Sequence, residues 1–206
     1  MNEEKEILIK KLKAWGLPEK YWYVEEEDWD KKEVFKMINE EESYYFYGGA
    51  GTGKTMLACI IGKRLIRQGK HCLFITAPDF LGKIVAGFNF SSSYSSSEEV
   101  LEKYSKANYL ILDDLGAERS SEFAIQQLYR LISYRERNLK PVIITSNLTL
   151  GEIAEKLSDR IASRIKGMCG ERIIYFGKED KRLLGKDDIE RWKRRFWKGE
   201  EECLHM

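Results

Sequence analysis

The sequence predicts a three-layer α/β fold around a parallel sheet of five strands. Three observations carry this. Short apolar or aromatic runs alternate with longer amphipathic stretches, the order expected of repeated strand–helix units. Two of the runs, Tyr109–Leu112 and Val142–Ile144, are unbroken apolar segments, as in strands covered on both faces. Both continue into polar residues, Asp113-Asp114 and Thr145-Ser146-Asn147, at the strand ends where open α/β sheets form their ligand crevice.

Taken in order, residues 1–42 read as a short N-terminal extension. Glu6–Trp15 has Ile7, Leu8, Leu12 and Trp15 on one side of a helix, which Gly16-Leu17-Pro18 ends. Tyr21, Trp22, Tyr23 and Trp29 follow, and a second short helix is expected over Lys31–Asn39 with Val34, Phe35 and Ile38 on one face. These aromatics either pack over the edge of the functional site or dock a partner; packing is the commoner fate of such residues.

The core is expected over 43–177. Tyr44–Tyr47 is an aromatic strand, and Met56–Gln68 a helix closed by Gly69. His71–Thr76 is a second strand, and Ala77-Pro78-Asp79 opens a helix reaching about Phe88. The Ser-rich stretch 89–97 reads as a mobile loop before a helix over Glu98–Lys106. The third strand is Tyr109–Leu112, followed by a helix over Phe123–Arg137. The fourth strand is Pro141–Asn147, and a mostly helical stretch over Leu150–Ile165 leads to the last strand, Arg172–Phe176. Residues 178–206 form a basic tail whose helix, Asp187–Lys198, contains Trp192, Phe196 and Trp197.

Composition narrows the function classes. The 206 residues carry 35 Lys+Arg against 34 Asp+Glu, a net charge of +1, so any nucleic-acid site must be a local patch rather than a global field. Two basic clusters qualify: Lys63, Arg64, Arg67 and Lys70, and Lys193, Arg194 and Arg195. Phe88, Phe90 and Tyr94 could stack single-strand bases. Cys59, Cys72, Cys169 and Cys203 are scattered without a C-x-x-C pair, which argues against zinc and disulfides and fits a reducing cytoplasm. The charged start Met1-Asn2-Glu3-Glu4-Lys5 does not read as a signal peptide, and no apolar run is long enough for a membrane span.

The chemistry is organised around Gly48-Gly49-Ala50-Gly51-Thr52-Gly53-Lys54-Thr55, which fits the phosphate-loop pattern G-x-x-x-x-G-K-[ST] between a strand and a helix. The glycines allow a tight turn, and the N–H groups of the loop and helix start, including Met56, then meet an anion with the helix dipole behind them. Lys54 supplies a positive charge for the β and γ phosphates, and the Thr55 hydroxyl can ligate Mg²⁺.

Asp113, at the end of an apolar strand, is placed to hold Mg²⁺ beside that hydroxyl. Asp114 can polarise an attacking water, with Glu118 as a weaker second carboxylate. Asn147 can orient the water against the γ-phosphate, or simply cap the next helix. Arg160 and Arg164 lie on one helical face; they either stabilise transferring phosphoryl charge or are surface residues paired with Glu155 or Asp159.

Together, Gly48–Thr55, Leu110–Gly116 (LILDDLG), Ile144–Asn147 and Asp159–Arg164 resemble the AAA+ ATPase core of the DnaC/DnaI-type bacterial helicase loaders and the related IstB-type transposition ATPases. The resemblance runs from about Gly16 to Phe176. It implies an ASCE sheet with the strand of Asp113 beside that of Asn147, the phosphate-loop strand near the centre, and no helical lid domain. It implies ATP or ADP with Mg²⁺, slow hydrolysis, and ATP-dependent homo-oligomers with ATP between subunits. Carried over, Asp113 binds Mg²⁺, Asp114 replaces the usual catalytic Glu, Asn147 is sensor 1, and Arg164 is an arginine finger, with Arg160 as the alternative. A replicative DNA helicase is the implied partner, and single-stranded DNA a further ligand contacted around Asp79–Ala107. One departure stands out: only about 40 residues precede the phosphate-loop strand, where loaders usually carry a separate helicase-gripping domain.

Overall fold

The structure is a computed structural model describing residues 3–29, 38–39, 41–90, 95–178 and 186–198. Its strands are β1 (Tyr44–Tyr47), β2 (Cys72–Thr76), β3 (Tyr109–Leu115), β4 (Val142–Ser146) and β5 (Ile173–Tyr175). They form one sheet in the order β2-β3-β4-β1-β5, and every pairing is parallel. β3 therefore lies beside β4, and β1 between β4 and β5.

Alternation along the strands assigns the two faces. Leu110, Leu112, Val142 and Ile144 share one buried cluster with α3 (Ala77–Phe90), α4 (Ser95–Lys106), α5 (Glu122–Arg137), α6 (Leu150–Lys156) and α7 (Asp159–Cys169). Tyr109, Ile111 and Ile143 join the opposite cluster, with α1 (Glu3–Ala14), α2 (Lys54–Arg67) and α8 (Lys186–Lys198). A period of two puts neighbouring residues on opposite faces, so an unbroken apolar run feeds both cores.

α2 ends as its sequence suggests. Gly69 has φ +79°, its N–H reaches Ile66 O at 3.0 Å, and Lys70 N–H reaches Leu65 O at 3.0 Å, a Schellman closure. The free side of edge strand β2 is met by the chain leaving α1, where Phe74 N–H donates to Trp15 O at 2.9 Å. Gly16 makes that approach possible, since a Cβ there would lie 2.8 Å from Phe74 O.

Two expectations need correction, and a third gains detail. The Ser-rich stretch 89–97 is not one loop: α3 continues through Phe90 and α4 already begins at Ser95. Ser97 is buried and donates its hydroxyl to Ile84 O at 3.1 Å, so its serine is a packing contact between two helices rather than a loop signal. The stretch 150–165 is mostly helical as expected; it is divided into two helices at Leu157-Ser158, because Ser158 accepts the Ile161 N–H and caps a new start. β3 runs on through both aspartates rather than stopping at Leu112. The helix expected over Lys31–Asn39 lies almost wholly outside the described residues, as do Tyr94, Cys203 and the side chains of Phe88 and Phe90.

The aromatics near both ends of the described chain pack rather than project. Tyr23, Trp29, Trp192 and Phe196 are all buried in the cluster under α2. Arg135 is a buried cation with no counterpart in the sequence reading. Its guanidinium donates to Tyr104 O, Ser105 O, Ala107 O and Pro141 O, closing the end of α4 against the approach to β4. Among the described residues, no helix is long and apolar enough to cross a membrane.

Candidate functional site

After β1 the chain turns through Gly48–Gly53 into α2. Gly48, Gly51 and Gly53 all have positive φ. Neighbours demand two of these glycines as well: a Cβ on Gly48 would lie 2.7 Å from Gly177 O, and one on Gly53 2.7 Å from the Trp29 ring. The close approach at Gly53 is thus to an indole. Gly53 is the N-cap of α2 and no side chain caps the helix. Its first N–H groups, with the helix dipole, are the arrangement that takes an anion.

The Lys54 amine is buried at this turn. It donates to Gly48 O at 3.0 Å, Gly49 O at 2.6 Å and Asn147 Oδ1 at 2.9 Å. The Thr52 hydroxyl donates to Gly49 O at 2.9 Å, tightening the loop. A cation so placed meets oxygen atoms on several sides, the environment that phosphate oxygens also provide.

Asp113 lies across from it. Its Oδ1 accepts the Thr55 hydroxyl at 2.9 Å and the Thr145 hydroxyl at 2.6 Å. Burial pushes this carboxyl up to about 6, against the pull of the two hydroxyls, and neighbouring Asp114 pushes it the same way. A buried carboxylate beside a hydroxyl is a hard-oxygen donor pair, and a divalent cation would favour its charged form. The residues present therefore fit Mg²⁺, with Thr55 and Asp113 as the groups to hold it.

Two adjacent strand residues normally face opposite ways. Here β3 carries one extra residue against β4: Leu112 pairs with Ile144 but Leu115 with Ser146. This bulge gives Asp114 a left-handed φ of 54° and brings it to the cavity wall. Thr145 sits opposite the bulge, fully buried, and serves both acids: it donates to Asp113 and accepts the Asp114 N–H at 3.0 Å. Sequence reasoning missed Thr145 as a site residue. The available signal was a hydroxyl residue two before the strand-tip Asn in a strand next to the Asp pair.

Asn147 does not cap the following helix. Thr149 does, in a capping box with Glu152, which leaves the Asn147 amide to the Lys54 amine. Glu118 is buried, with both carboxylate oxygens accepting the Gly116 N–H. It is thus occupied in shaping the loop after β3 and is absent from the cavity wall.

A cavity of about 390 Å³ joins Lys54, Thr55, Asp114 and Asn147. It runs from loop and helix residues Ala50–Met56, past Asp114 and Asn147, to Lys20, Tyr21, Asp28 and Trp29 of the N-terminal segment.

The two arginines of α7 are not in that wall. Arg164 pairs with Glu136, donates to the Tyr129 hydroxyl at 2.9 Å and lies 5.1 Å from its ring. Its partner is on α5, rather than Glu155 or Asp159. Arg160 is exposed. The basic cluster on α2 is also not a free patch. Lys63 is buried against Glu25 and the carbonyls of Trp22 and Val24, Arg67 forks onto Glu25 at 2.7 Å with both nitrogens, and Arg64 lies 3.7 Å from Glu26. In the tail cluster, Arg195 is paired with Asp28, while Lys193 and Arg194 are exposed.

Comparison with known proteins gives the same picture. The family model for IstB-like ATP binding proteins matches residues 3–166. YqaM of Bacillus subtilis (strain 168) is 30% identical over 150 residues, 69% of this chain and 46% of that protein. The replicative helicase loader DnaC of Escherichia coli (strain K12) is 27% identical over 124 residues, 60% of this chain and 50% of that protein. This chain thus spans about half the length of either relative. Among solved structures, a crystal structure of the DnaC helicase loader superposes with a TM-score of 0.58 at 26% identity, covering 71% of this chain and 85% of that one. With a phosphate loop opening α2, an Asp pair near the end of β3 and a match over most of its length, the chain belongs to the IstB-like ATP binding protein family, on an AAA+ P-loop fold.

Proposed function

We propose that this protein binds and slowly hydrolyses ATP with Mg²⁺ in the cytoplasm, and that the nucleotide drives its assembly on a DNA-replication partner. The observation that carries this is the meeting of Lys54, Thr55 and Asn147 at one end of a cavity, with the Asp113 carboxylate hydrogen-bonded to the Thr55 hydroxyl behind its wall. In this reading the Gly48–Thr55 loop and the Met56 N–H bind the phosphates, and Lys54 exchanges its loop carbonyls for β and γ phosphate oxygens. Thr55 and Asp113 hold Mg²⁺, which neutralises phosphate charge. Asp114 accepts the proton of the attacking water, Asn147 orients that water, and Thr145 keeps both carboxylates in place. Arg164 acts on the cavity of a neighbouring copy after leaving Glu136, with Arg160 as the alternative donor.

The partner expected from the DnaC likeness is a replicative DNA helicase, with the protein acting as a loader or remodeller. Single-stranded DNA is a secondary ligand, and its site would have to lie outside the neutralised face of α2. A second reading, favoured by the IstB-like family match itself, makes the protein a transposition helper whose partner is a transposase. A third is a nucleotide-gated binding module with little turnover, to which the Asp114-for-Glu difference belongs.

Pull-down with the cognate replicative helicase and with transposase, each with and without ATP and Mg²⁺, separates these readings. ATP-dependent capture of helicase supports the loader, and capture of transposase alone overturns it. Binding without measurable ATP turnover selects the gated module.

A further inference from the structure

Trp29 joins parts of the chain that lie far apart in sequence. Its ring rests on the backbone of Gly53, where a Cβ would come within 2.7 Å, and against Phe176 with centroids 6.0 Å apart. It is 6% exposed, yet it forms part of the cavity wall with Lys20 and Tyr21. The residue before it, Asp28, is held from two directions. Its Oδ2 accepts the Glu25 N–H at 2.8 Å. Arg195 of α8 forks onto it, Nη1 to Oδ1 at 2.9 Å and Nη2 to Oδ2 at 2.5 Å.

The Asp28 side chain is 9% exposed and that of Arg195 23%. A charge-assisted, two-pronged pair in that setting is strong and weakly screened. Aromatic packing supports it: Phe196 meets Tyr23 edge-on at 5.5 Å, and Trp192 is 2% exposed. The other end of the same segment is held by a different element, with Lys63 and Arg67 of α2 on Glu25. Residues 25–29 are therefore pinned by α2 at one end and α8 at the other, with Trp29 lying on the loop between.

We propose that α8 is an intramolecular clamp on the nucleotide cavity, in which Arg195 is a positioning residue: through Asp28 it holds Trp29 against Gly53 and sets how fast a nucleotide leaves. The inference rests on the ATP reading of that cavity. α8 lies beyond residues 3–166, the span that the family model matches. A nucleotide passing Tyr21 and Trp29 requires residues 25–29 to shift, and that shift breaks the Arg195–Asp28 pair. A partner that draws Arg195 away would loosen the cavity without touching the phosphate loop.

The test is release of a fluorescent ADP from the full-length chain, chased with unlabelled ADP in a stopped-flow instrument. Arg195→Ala releases it roughly tenfold faster than wild type, the loss expected for one charge-assisted pair. Arg195→Lys, which keeps the charge without the fork, falls between the two. Asp28→Asn accelerates release, and adding it to Arg195→Ala gives less than the product of the single effects. Arg194→Ala, one residue away and exposed, releases at the wild-type rate. Unchanged release in Arg195→Ala, or equal acceleration in Arg194→Ala, overturns the clamp. If Arg195→Ala does not fold, Arg195→Lys decides, and a wild-type rate there overturns the proposal. Lys54-dependent binding with unaltered release removes the clamp alone. Wild type that binds no nucleotide removes the ATP reading and the clamp with it.

Discussion

The strand tips and the outer face of α7 show opposite relations between sequence distance and shared environment. At the tips of β3 and β4 and the start of α2, partners 58 and 93 residues apart meet: Thr55 with Asp113, and Lys54 with Asn147. On α7, Arg160 and Arg164 are one helical turn apart yet differ: one is exposed, and the other is drawn to Glu136 and Tyr129 on α5. Parallel strands all deliver their C-terminal ends to one edge, so residues at their tips converge whatever their separation along the chain. A helix surface offers no such convergence; each side chain takes whatever the next element presents. Groups read from strand tips therefore gather in a single chain, whereas the two arginines lie outside that cavity's wall, and their proposed role calls for a second copy.

The comparison breaks most directly at Lys54. Lys54→Ala is expected to lose ATP binding by roughly a hundredfold or more, about 3 kcal/mol, because the only lysine seated in the loop is removed. Titration calorimetry checks it, and ATP-dependent assembly, followed by light scattering, should vanish with it. Assembly that survived would separate the loop from any shared site.

Asp114→Asn comes next. Binding should persist while turnover falls by about 10²–10⁴-fold, the range for a lost proton acceptor. Steady-state hydrolysis beside equilibrium binding reads this, and unchanged turnover would move the base elsewhere and favour the low-turnover module.

The arginines sharpen the contrast. Arg164→Ala should lower turnover by tenfold or more only at concentrations where chains assemble, with little effect on ATP affinity. Mixing it with Lys54→Ala protein should restore part of the activity, since a mixed pair regains one complete site. If Arg160→Ala behaves this way instead, the roles exchange.

A smaller effect is expected at Thr145. Thr145→Val leaves the Asp114 N–H without its acceptor and Asp113 with one hydroxyl fewer, a loss of ~1–3 kcal/mol of stability. Turnover should fall more than affinity, and Thr145→Ser, which keeps the hydroxyl, should restore both. A valine variant that matched wild type in turnover would make Thr145 purely a packing residue.

The smallest concerns Lys63, the second buried amine on α2. Burial pushes it down to about 8 from 10.5, with Glu25 opposing. Its folded value lies below its unfolded one, so between about pH 8 and 10.5 the unfolded chain binds more protons, and this group's contribution to stability rises with pH. Wild type should gain thermal stability over that window relative to Lys63→Met, which lacks the titration. A constant difference would mean the amine keeps its ordinary affinity for protons beside Glu25.

Much of this was legible in the chain because it rests on short-range rules. Gly48–Thr55 between an aromatic strand and an apolar helix, the doubly buried runs before Asp113 and Asn147, and the strand–helix alternation together determine the sheet and the phosphate loop. They do so because backbone sterics and the period of side chains act over a few residues. What only the tertiary structure decided depends on register and on which elements touch. The bulge that turns Asp114 into the cavity is a one-residue slip between β3 and β4, and Thr145 serves both acids only because of it. Lys63 and Arg67 looked like a basic patch until residues 22–25 folded over them. Trp29 gained a place on the loop because Arg195, more than 160 residues away, holds its neighbour. Such pairings follow from the packing of whole elements, whose partners no local pattern in the sequence identifies.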